Sequence, residues 1–133
     1  VRRVRAQLIA REPAPEPVDT LTVFVEFANR ASGVLCGVRS TPQYWRVHVF
    51  GNNGSAEALE DVDVVVRMSD APPRRLAFER VDALRLELEA FADAVASGVP
   101  YAIPYEQMLD GVAALEATIR SLEMKDSVVV PGR

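Results

Sequence analysis

Apolar and polar positions alternate through the first two-thirds of the chain, and β-branched residues are frequent there, the pattern of half-buried antiparallel strands. Val4–Ile9 reads as a first strand, closed by the proline run Glu12-Pro13-Ala14-Pro15-Glu16-Pro17, whose missing N–H groups end pairing. Thr20–Ala28 reads as a second, with Leu21, Val23, Val25 and Phe27 on one face and Thr22, Phe24 and Glu26 on the other. Asn29–Gly33 is a hairpin loop, and Val34–Ser40 returns beside it. Tyr44–Phe50 follows, with Trp45, Val47 and Val49 alternating against Arg46, His48 and Phe50. Gly51-Asn52-Asn53-Gly54 is a tight turn, since Gly and Asn reach positive φ cheaply. Ser55–Leu59 and Val62–Met68 are further strands. Asp70-Ala71-Pro72-Pro73 is expected to break the run before a short edge strand at Arg75–Phe78.

From Asp82 the period changes from two to about 3.6. Leu84, Leu88, Phe91 and Val95 form one helical stripe, with Asp82 as N-cap and Ser97-Gly98 as the stop. Pro104 fits a first helical turn, and Met108, Val112, Leu115, Ile119 and Leu122 mark a longer amphipathic helix. Ser127–Val130 is a final extended segment. Strands followed by helices predict an α+β fold, a mostly antiparallel β-sheet with helices packed on one face. Two late helices cover one face only, and Phe24 lies on the other. The open sheet face is therefore expected to meet a second copy, as a homo-oligomer, or the missing remainder of its own chain.

At 133 residues the chain has the size of one domain, and residues 1–133 are read as such. A net charge of −4 with scattered basic residues argues against nucleic acid as a partner. No apolar run reaches the ~20 residues of a membrane span, so no membrane partner is expected. The chain opens Val1-Arg2-Arg3-Val4-Arg5 with no signal core, and is expected to be a fragment of a longer protein. A single cysteine, Cys36, excludes an internal disulfide and a cysteine-built zinc site, and a cytoplasmic location is expected.

Three stretches, in order, resemble the C-terminal domain of the family of glucose-fructose oxidoreductase, inositol dehydrogenase and MocA. They are Val23-Phe24-Val25-Glu26-Phe27 through Gly33-Val34-Leu35-Cys36, then Val47–Glu57 around the Gly51-x-x-Gly54 turn, then Leu88–Pro100 followed by Ala114–Leu122 and the terminal valines. The resemblance implies a parent enzyme in which a Rossmann domain holding NAD or NADP precedes this domain. It implies hydride transfer to or from a CH–OH carbon of a sugar, an inositol or a related polyol as small-molecule substrate. The family's Glu-Lys-Pro lysine and its Asp and His pair have no match here, so no catalytic residue and no cofactor-binding residue is assigned. Lys125, the one lysine, lacks that motif. The alternative from another class is a noncatalytic dimerisation or small-ligand-binding module.

Among the remaining residues, Gly51-x-x-Gly54 precedes a strand rather than a helix and reads as a hairpin turn, not a phosphate loop. His48 reads as a sheet-face or interface residue, and Cys36 as a small buried hydrophobe. Glu26, Glu57, Glu60, Asp61 and Asp63 read as solvated faces, and no metal site is expected. Arg39, Tyr44 and Trp45 flank the Thr41-Pro42-Gln43 link and are the candidate substrate-binding residues. A guanidinium holds a carboxylate or hydroxyl, and an aromatic ring stacks on a sugar face. In the family this part of the sheet can approach the substrate pocket.

Overall fold

The computed structural model describes residues 1–9, 19–39 and 41–131, so the expected proline-rich closure at Glu12–Pro17 lies outside the described residues. The chain divides into two compact units, Val1–Ser40 with Pro100–Arg133, and Thr41–Val99.

The first unit holds a four-stranded antiparallel sheet of order β3-β2-β1-β8, from β1 (Arg3–Ile9), β2 (Thr20–Glu26), β3 (Ser32–Val38) and β8 (Val128–Val129). The helix α2 (Tyr105–Met124) packs on it. Pairing of Val4 with Val25 and of Ala6 with Val23 sets the small apolar side chains of β1 and β2 on one face. Val4, Ala6, Val23, Ala117, Val128 and Val130 form the core there, with Leu21, Val25, Ala113 and Leu122 partly buried against it. Arg5 faces Phe24 across the same two strands, on the opposite face, as the alternation requires.

The second unit holds another antiparallel sheet, β4-β5-β6-β7, from β4 (Arg46–Gly51), β5 (Gly54–Leu59), β6 (Asp63–Met68) and β7 (Ala71–Ala77). Its helix α1 (Ala83–Ser97) begins where Asp82 accepts the Arg85 N–H at 3.0 Å. It ends on Gly98, whose left-handed φ of 72° lets its N–H reach the Ala94 carbonyl.

The α+β class with mostly antiparallel strands holds, but the expected sheet is two sheets. Alternation marks a strand without saying which neighbour it pairs with, and β3 and β4 are joined through Pro42, which donates no N–H. The proline pair does not break the last strand: β7 starts at Ala71, and Pro72 and Pro73 fall inside a register shift between Val66 and Met68 on an edge strand.

The expected helix faces also differ. On α2 the sheet-facing line is Ala113, Ala117 and Ser121, spaced four apart, while Val112, Leu115 and Ile119 are exposed. Small side chains let the helix backbone approach the sheet closely, so volume rather than hydrophobicity selects the packed stripe. On α1 no residue is buried, and Leu84, Leu88, Phe91 and Val95 are all exposed. Cys36, expected inside, is exposed on β3, with the Thr22 hydroxyl 3.9 Å from its sulfur.

Candidate functional site

The site begins with a hairpin. Gly51 pairs with Gly54, leaving Asn52-Asn53 as a two-residue turn between β4 and β5. Gly54 is required by close approach as well as by turn geometry, because a Cβ there would collide with the Arg67 carbonyl oxygen on β6. The turn connects antiparallel strands and no helix follows it, so it lacks the strand-to-helix geometry that holds a pyrophosphate. These residues do not fit a dinucleotide.

The same hairpin fixes what lies at its far end. Arg46 pairs with Leu59, so the next residues outward, Trp45 and Glu60, stand opposite each other, and the Glu60 N–H donates to the Trp45 carbonyl at 3.0 Å. Glu60 holds a left-handed φ of 50°, which turns the chain sharply into β6. The Phe78 N–H donates to the Val62 carbonyl at 2.7 Å and brings the segment after β7 to the same end. Gln43, Tyr44, Trp45, Glu60, Asp61 and Arg80 line the resulting cleft of about 150 Å³. Arg80 stands 3.7 Å from Asp61, with both side chains largely exposed. The Glu60 carboxylate has no ion-pair partner among the described residues.

Of the three substrate-binding candidates, Tyr44 and Trp45 share this cleft. Arg39 belongs to the other unit, where it lines a separate cleft of about 350 Å³ with Leu8, Asp19, Leu21, Gly37 and Val38. Its backbone N–H donates to the Asp19 carbonyl at 2.7 Å. Sequence reasoning missed Gln43, Glu60, Asp61 and Arg80 as lining residues. For the two acids the signal was available: counting outward from the Asn52-Asn53 turn sets Glu60 opposite Trp45.

A second polar cluster occupies the middle of the same sheet. Glu57 on β5 is 8% exposed rather than solvated as expected, because β5 is a central strand and two arginines close over it. It accepts from Arg67 at 3.0 Å and from Arg46 at 3.4 Å. The Arg67 hydrogen bond is the main reason its carboxyl is held below the usual carboxylate range, with the charges of Arg67, His48 and Arg46 acting in the same direction against desolvation. His48 pairs with Glu57 across the ladder and lies on the sheet face as expected. Its ring is 4.0 Å from that of Phe50, and its Nε2 is buried with no hydrogen-bond partner among the described residues. One strand over, Arg75 grips Asp63 with two bonds of 3.0 and 2.7 Å, which lower the Asp63 carboxyl and raise the guanidinium. Each of these carboxylates holds an arginine at 3.0 Å or less across the sheet, whereas in the cleft Asp61 stands 3.7 Å from Arg80.

Among the described residues no helix is long and apolar enough to cross a membrane. No family model matches the chain, and no curated protein matches it in sequence. Solved structures match it closely in fold. Levoglucosan dehydrogenase in complex with NADH and L-sorbose superposes with a TM-score of 0.77 at 18% identity, over 99% of this chain and 45% of that one. The aldose-aldose oxidoreductase of Caulobacter crescentus, complexed with glycerol, gives 0.77 at 17% identity, over 96% and 41%. The UDP-N-acetylglucosamine 3-dehydrogenase of Acidithiobacillus ferrooxidans gives 0.79 at 20% identity, over 91% and 40%. The chain therefore spans less than half the length of these structures, and almost the whole of it has the fold of one part of these oxidoreductases.

Proposed function

We propose that this chain is the carboxy-terminal, substrate-side domain of an NAD(P)-dependent oxidoreductase of the glucose-fructose oxidoreductase, inositol dehydrogenase and MocA type, acting on a CH–OH group of a sugar, an inositol or a related polyol. The observation that carries this reading is the fold match over nearly the whole chain to a levoglucosan dehydrogenase and to two further sugar-linked oxidoreductases. The order of the three resembling stretches supports it independently. In such an enzyme the nicotinamide takes or gives the hydride, and the protein supplies orientation and a proton-transferring group. No dinucleotide turn or lysine motif is found in the sequence of this chain, so both belong to the Rossmann domain proposed to accompany it. The cleft of Tyr44 and Trp45 is the part offered to substrate. Phe24, 55% exposed on the face of its sheet away from α2, supports a dimer through that face.

The test is a reaction of the full-length parent with NAD+ or NADP+ and a panel of sugars, inositols and simple polyols, followed by reduced-nicotinamide absorbance. Turnover with one of them is expected. A parent that neither reduces nor binds a nicotinamide overturns the assignment in favour of a ligand-binding module.

A further inference from the structure

We infer that Glu60 and Asp61 make the Trp45 cleft selective for neutral polyhydroxyl ligands over anionic ones, a specificity role that rests on the substrate-side reading above. The cleft has three chemically distinct walls. Trp45, 49% exposed, offers an aromatic face against which the C–H side of a sugar or cyclitol ring can lie. Gln43 offers both a donor and an acceptor. Glu60 and Asp61, adjacent in the turn, offer carboxylate oxygens that only accept, so they suit a pair of neighbouring hydroxyl donors.

The charge balance decides between ligand classes. Two carboxylates face one guanidinium, Arg80, and that guanidinium already sits 3.7 Å from Asp61. A neutral polyol meets acceptors for its hydroxyls without like-charge repulsion. A sugar acid or sugar phosphate meets like charge, which disfavours it. The backbone geometry keeps Glu60 in place, since its N–H is held by the Trp45 carbonyl and its left-handed φ fixes the turn. The acid and the aromatic wall are thus joined by a main-chain hydrogen bond and cannot separate without opening the end of the hairpin.

Trp45 is the only tryptophan, so its emission reports on the cleft alone. The experiment titrates the 133-residue chain with glucose, myo-inositol, glucuronate and glucose 6-phosphate, following Trp45 fluorescence, with amide shifts of Gln43–Trp45 and Glu60–Asp61 as a second readout. A saturable change with a neutral ligand is expected, with the anionic ones weaker by about tenfold or more, the scale of one hydrogen bond to a charged group. The double variant E60Q/D61N is expected to lose about tenfold in neutral-ligand affinity and most of the discrimination against glucuronate. Equal or tighter binding of the anionic ligands, no saturable response to any of them, or unchanged selectivity in a folded double variant overturns the inference. The parent's turnover is read separately. A parent active on polyols whose E60Q/D61N form keeps its KM and its preference for neutral substrates sinks this specificity role and leaves the oxidoreductase reading intact.

Discussion

The Ser121 hydroxyl accepts the Ala6 backbone N–H at 2.8 Å and donates to the Asp126 carbonyl at 2.6 Å. β8 pairs with β1 only at Val128–Val4 and Val129–Arg3, so the ladder stops before it reaches Ala6. Ser121, fully buried on α2, stands between two main-chain groups that a longer β8 would have joined directly. One side chain thereby ties the helix, the first strand and the last turn together.

Ser121→Ala leaves the Ala6 N–H buried and unpaired, and is expected to cost about 1–3 kcal/mol. The urea midpoint should fall with an unchanged slope, and the Ala6 amide should lose exchange protection. An unchanged midpoint removes the hydroxyl from the account of stability.

The packed and exposed lines of α2 make opposite demands. Ala117 is buried against Val4, Ala6 and Val23, so Ala117→Leu overfills the contact and should destabilise by about 1–3 kcal/mol. Leu115, 61% exposed, should tolerate Ser within about 0.5 kcal/mol in the isolated chain. Thermal melts of the two variants compare the lines directly, and the reverse ranking would show that the bulky stripe faces the sheet.

Acid should weaken the second unit through Glu57. Its folded carboxyl is depressed, so its contribution is complete above the ordinary carboxylate range, near pH 4–5, and is lost as pH falls through the lowered folded value. Glu57→Gln should flatten this part of the stability-against-pH curve, and Asp63→Asn should do likewise through Arg75. A curve from either variant that parallels the native one removes that residue as a source of the acid sensitivity.

For the proposed sheet-face dimer, Phe24→Lys sets a charge into the face twice, once from each copy of a two-fold interface. Light scattering at about 100 μM, above the dissociation constant of a standard-sized interface, should then give a dimer for the native chain and a folded monomer for the variant. A monomeric native chain rules this interface out.

The strands, the caps at Asp82 and Gly98 and the Asn52-Asn53 turn were legible because each depends on a few adjacent residues. The division into two sheets was not, since pairing of β4 with β5 and not with β3 is decided by which turns close, not by alternation. The helix faces misled for a related reason. A stripe of Leu, Val and Ile announces that something covers it, but within this chain the close contacts go to Ala113, Ala117 and Ser121. At the site, Tyr44 and Trp45 stood out as aromatics opening a strand beside the Thr41-Pro42-Gln43 link, while Glu60 and Asp61 looked like ordinary turn acids until the hairpin register set Glu60 across from Trp45. Arg39 was grouped with them by nearness in sequence and by what the family resemblance implies for this part of the sheet.

The register shift in β7 gives the second sheet two unlike borders. Along β7, Pro72 and Pro73 contribute no N–H groups and fall at the irregular pairing, so that border is a poor template for another strand. Among the described residues β4 is laddered only on its β5 side, and it carries no proline between Arg46 and Gly51. Among the described residues the backbone groups along the outer side of β4, from Arg46 past His48 to Gly51, are thus the border of this sheet that proline does not interrupt.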